Sequence, residues 1–182
     1  MKDTNFVLRS LEIIFWIVFG GLIITLLILL VLFASVLFGF NLGPVNNVKF
    51  TLPVFSGTFS EFLEMGRIEV LIIFALLIIF WSLEAVLIRK VISALNKVDV
   101  NHPFSAKISS LIHQITSLAL VLGVASFLFD VIFQAIILGE VSLNVEIGGD
   151  DFSFLIFAGI IYVIGKVYKK GVDLQNENEL TI

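Results

Sequence analysis

The stretch "LEIIFWIVFGGLIITLLILLVLFASVLFGF", Leu11–Phe40, carries no charge after Glu12, and the next charged residue in the chain is Lys49. A helix needs about 20 apolar residues to cross the ~30 Å hydrocarbon layer of a bilayer, and this run exceeds that. It is also longer than the ~7–15-residue apolar segment of a signal peptide and lacks a small-x-small cleavage site, so it is read as a retained span. Further apolar runs follow at about 69–89, 109–139 and 152–170. Within a bilayer a segment of this kind satisfies its own backbone groups only as a helix. The expected fold is an all-α integral membrane protein, a single domain over residues 1–182 with four transmembrane helices at 11–40, 69–89, 109–139 and 152–170.

Composition points the same way. Hydrophobic residues make up 59% of the chain and 19 are Phe, against ~45–50% apolar in a soluble domain. There is no cysteine, which excludes disulfides, thiolate metal sites and cysteine nucleophiles. Of the 11 basic residues, only Lys49 and Arg67 fall in the loops 41–68 and 140–151. The rest lie in the N-terminal arm, at the end of the second span and in the loop 90–108 after it, and at the end of the last span. By the positive-inside rule both termini are cytoplasmic and the protein sits in the cytoplasmic membrane.

The outer loops alternate apolar and polar residues. "VKFTL" (Val48–Leu52) and "VSLNVEI" (Val141–Ile147) have the period of half-buried strands. They are expected to pair into a small two-stranded extracytoplasmic β element, with Lys49 near Glu146; the alternative is two unpaired loops on the headgroups. In the inner loop, Pro103 bars a helix at that point. Ser105 is placed to cap a lead-in to the third span.

Charged groups within spans are costly, about 2.5–3.5 kcal/mol at a helix centre, and are therefore candidate sites. Asp130 is the deepest, and Gln134 lies one turn on along the same face. Together they suit a proton or cation site, or alternatively hydrogen bonds that fix helix packing. Glu84 lies five residues before Arg89 and reads as an inner-edge anchor. The two histidines, His102 and His113, lack the spacing of a metal site. No nucleophile triad, phosphate loop or catalytic carboxylate pair is evident, and neither enzyme activity nor a cofactor is expected.

"NHPFS" ahead of the third span, together with "VIGKVYKKGVDLQNENELTI" at the end, resembles a bacterial family of small four-helix membrane proteins of unknown activity, the YoaS-like group. The matching residues are Asn101, Pro103 and Phe104, then Lys170, Gly171, Leu174, Glu177, Glu179, Leu180 and Thr181. His102 departs from the pattern, since many relatives run Asn directly into Pro. The resemblance implies a genetic context: such genes often lie beside one for a small helix-turn-helix regulator of the Xre type. It implies a membrane-bound partner of that regulator, docked by these residues, with no direct contact to nucleic acid. The tail 171–182 is acidic, and a DNA-binding domain presents a basic face. Gly171 would permit a bend or a close contact, and Leu180-Thr181-Ile182 would add as a strand or fill a pocket. Two other classes stand beside this one: a small homo-oligomeric transporter or channel built on Asp130 and Gln134, and an envelope sensor whose outer sheet binds a ligand.

Overall fold

The uncharged run that opens the chain forms most of α1 (Lys2–Phe38) in the computed structural model, which describes residues 2–40, 43–52, 55–98, 104–139 and 150–180. The helix stops where Gly39 takes a left-handed φ of 72°, which a residue with a Cβ adopts at a cost. The next amide closes the end: Phe40 N–H donates to Ser35 O at 2.9 Å, the longer bond of a Schellman motif. Arg67 completes the cap. Its guanidinium donates to Val36 O at 3.2 Å and to Leu37 O at 2.5 Å, so a cation meets the negative end of the α1 dipole.

After a 3₁₀ turn at Gly43–Val45 come β1 (Lys49–Leu52), β2 (Phe55–Thr58) and the short α2 (Phe59–Leu63). The strand expected at 48–52 is present. Its partner in the sheet differs from the expected 141–147: β1 pairs antiparallel with β2, with Lys49 opposite Thr58 and Leu52 opposite Phe55. Residues 141–147 lie outside the described set. Only Pro53 and Val54 separate the two strands in sequence, and pairing across so short a connection closes a far smaller loop than one reaching to 141. Thr58 then starts α2 through a capping box: Thr58 Oγ1 accepts from Glu61 N–H at 3.3 Å and Glu61 Oε2 accepts from Thr58 N–H at 2.9 Å.

This hairpin and α2 seat an aromatic cluster on the helices. Phe62 is fully buried, and its ring lies 5.2 Å from Phe50, 5.2 Å from Phe55 and 5.7 Å from Phe74. Val36 of α1, Val70 and Ile73 of α3 (Arg67–Leu95) and Phe133 of α4 (Ala106–Leu138) complete that core. A second, smaller core of Leu87, Ala119, Leu122 and Ala158 joins α3, α4 and α5 (Asp150–Leu180). The main helix contacts run in chain order, α1 on α3, α3 on α4 and α4 on α5.

Among the described residues three helices are long and apolar enough to cross a membrane, over Phe6–Phe38, Arg67–Leu95 and Ala106–Ile137. They correspond to the first three expected spans. On α1, Ile17, Ile24 and Val31 are each more than half exposed, a stripe suited to lipid contact. The fourth expected span, 152–170, lies in α5, which is not among these three. That helix continues unbroken to Leu180, so Gly171 lies inside it and the polar residues after Lys170 are helical as far as Leu180. At 1.5 Å per residue such a helix is about 46 Å long, more than the ~30 Å apolar layer requires.

Candidate functional site

The two stretches that carry the sequence motifs are far apart in the chain and meet at one joint. Ser105 begins α4 as its N-cap, with Oγ accepting from Ile108 N–H at 3.3 Å, as the sequence indicates. That fixes Phe104 just ahead of the helix, and its ring lies against α5. A Cβ at position 171 would sit 2.5 Å from Phe104 Cε1 and 2.7 Å from Cδ1, so only glycine admits the ring there. Tyr168, one turn before Gly171 on the same face, packs on Phe104 with ring centroids 5.4 Å apart and the planes tilted by 55°. Its hydroxyl accepts a hydrogen bond from Ser105 N–H at 3.1 Å. Tyr168 is the residue the motif reading passes over; its spacing of three from Gly171 is the signal that could have found it.

Beyond the joint, the last turns of α5 carry Asp173, Leu174 and Glu177, all exposed. Asp173 and Glu177 are four residues apart and share a face, with Leu174 beside them. Glu179 and Leu180 fall in the final turn of the helix. Asn101, Pro103 and Thr181 lie outside the described residues.

The intramembrane polar residues are grouped differently from expectation. Glu84 of α3 and Asp130 of α4 line one cavity of about 640 Å³ between α3, α4 and α5, with Ser126, Ser153 and a wall that includes Trp81 and Phe129. Glu84, read from the sequence as an inner-edge anchor, opens onto the same space as Asp130. Gln134, half-buried one turn on, is not among the lining residues. Asp130 and Gln134 each have an interaction partner, and among the described residues no buried side-chain nitrogen or oxygen lacks one. No cluster of three or more metal-ligating side chains occurs among them.

Residues 49–182 match a family described as "Protein of unknown function (DUF2975)". The chain belongs to the DUF2975 family. No curated protein and no solved structure matches it. The DUF2975 region contains the hairpin, the Glu84–Asp130 cavity and both halves of the Phe104–Gly171 joint, while α1 precedes it.

Proposed function

We propose that this protein is a membrane-embedded interaction protein that binds a small cytoplasmic helix-turn-helix regulator. In this reading four helices span the membrane, both termini are cytoplasmic and the β1–β2 hairpin is extracytoplasmic. The basic-residue asymmetry supports the orientation. The length of α5 supports the rest: about 30 Å of it crosses the apolar layer and its last turns project beyond Lys169 and Lys170, which anchor at anionic headgroups. The family resemblance supplies the kind of partner.

The observation that carries the reading is the Phe104–Tyr168–Gly171 joint. A tail that was only a solvated end would need no such packing. The joint fixes the direction in which α5 leaves the membrane, and so presents Asp173, Leu174 and Glu177 on an ordered helix. No basic residue follows Lys170, and an acidic helical face with one apolar contact suits the basic face of a DNA-binding domain. The test is capture of the regulator encoded nearest the gene, by the detergent-solubilised full chain and by a chain truncated after Gly171, which keeps the joint. Capture should be lost on truncation and weakened by Glu177→Gln, with a steep salt dependence. Equal capture by both chains would sink the reading.

The cavity between Glu84 and Asp130 favours a second reading, a small transporter or channel. Two carboxylates on neighbouring helices, facing one space inside a membrane, are the kind of pair that proton and cation pathways use. Proton or cation flux in proteoliposomes that is lost in Asp130→Asn would favour it over regulator docking.

A further inference from the structure

A groove of about 630 Å³ runs between the first three turns of α4 and the stretch of α5 from Tyr162 to Asn176. Its volume lies within the ~300–1,000 Å³ range of ligand sites. Its polar lining is rich in donors: Lys166, Lys169, His113, Ser109, Ser110 and Asn176. Asp173 is the one acidic residue among the described lining residues. The ammonium of Lys166 lies 5.4 Å from the centre of the Tyr162 ring, which holds it at the groove instead of free in solvent. Thr116 spends its hydroxyl on Ile112 O at 2.9 Å and, with Val172, is buried in the floor.

We infer that this groove binds the phosphate headgroup of an anionic phospholipid. The inference rests on the membrane orientation given above, not on the docking of a regulator. Two lysines, a histidine and hydroxyls offer charge-assisted hydrogen bonds to phosphate oxygens. Basic pockets between membrane helices on the cytoplasmic side are suited to anionic headgroups. The position selects a lipid over soluble phosphate. The lysines stand where the apolar run of α5 ends, and Tyr162 in the lining and Leu120, one turn on from Thr116 along α4, are 48% and 45% exposed and offer acyl chains a surface at that end of the groove. The lysine stems can lie along that surface while their ammonium groups reach the headgroup.

The experiment uses the full chain in mild detergent, with no protein partner, and counts bound lipid by native mass spectrometry during titration with short-chain phosphatidylglycerol or phosphatidylcholine. One phosphatidylglycerol should bind per chain in preference to phosphatidylcholine, and K166Q/K169Q should weaken it about tenfold or more. His113→Gln should weaken it to a smaller degree. A control of equal charge change away from the groove, K90Q/K97Q, should retain wild-type binding. Equal loss in that control would mean diffuse attraction and overturn the site. Unchanged binding in K166Q/K169Q would overturn it as well. Competition by inorganic phosphate at concentrations that match the lipid would assign the groove to a soluble phosphate and overturn the lipid assignment. Because no regulator is present, failure here is separable from failure of the docking reading.

Discussion

Phe104 and Gly171 are in contact across α4 and α5, with the ring occupying the space where a side chain at 171 would begin. The contact joins the two motif-bearing stretches of the chain, and the position of Tyr168 against the same ring makes it a three-residue joint. A glycine inside a helix costs roughly 1 kcal/mol relative to alanine. At this position that cost is offset by the approach it allows.

Gly171→Ala tests this directly. Helix propensity alone would stabilise the protein by roughly 1 kcal/mol, whereas the clash with Phe104 should cost about 1–3 kcal/mol. The net expectation is a lower melting temperature in detergent, reversed when Phe104→Ala is added. A double-mutant cycle reads the coupling between the two positions. A single substitution that raised the melting temperature would mean that the ring swings aside freely.

Phe62 is the hub of the aromatic core that ties the hairpin to α3. Phe62→Ala should destabilise by about 3–5 kcal/mol, because a fully buried ring leaves a cavity that its neighbours in β1, β2 and α3 cannot close. Thermal unfolding followed by circular dichroism would measure it. Loss of under about 1 kcal/mol would mean that the hairpin is not packed as described.

Arg67 caps α1 from the start of α3. Arg67→Met keeps the apolar stem and removes the donors to Val36 O and Leu37 O, so it should cost about 1–2 kcal/mol. Hydrogen exchange should show the increase in opening confined to the last turn of α1 and the first of α3. A uniform increase along both helices would argue against a local cap.

Topology can be checked by single-cysteine labelling, since the chain has no cysteine of its own. Positions 2 and 177 should be protected from a membrane-impermeant reagent in intact cells, and positions 49 and 56 should react. Labelling of 177 from outside would remove the fourth span and with it the cytoplasmic docking face.

Asp130→Asn should fold, because the amide retains hydrogen bonding and removes the charge. Yield and melting temperature close to those of the parent are expected. Collapse of the fold would mean that the ionised carboxylate is itself a structural element of the cavity.

The sequence by itself determined what depends on neighbours along the chain. The uncharged run from Ile13 onward defined a membrane helix, and the next two runs did the same, because hydropathy acts segment by segment. Ser105 was legible as an N-cap, since its bond reaches only to Ile108. The Thr58–Glu61 capping box was equally local, and could have announced α2 within the segment 41–68. The partner of β1 was not legible: alternation says that one face of a strand is buried but not against which strand. Nor was the end of α5, because polar residues past Lys170 mark the limit of an apolar run and not the limit of a helix. The Phe104–Gly171 contact and the Glu84–Asp130 cavity depended on which faces of separate helices meet. That is fixed by packing between elements distant in sequence, and only the tertiary structure decided it.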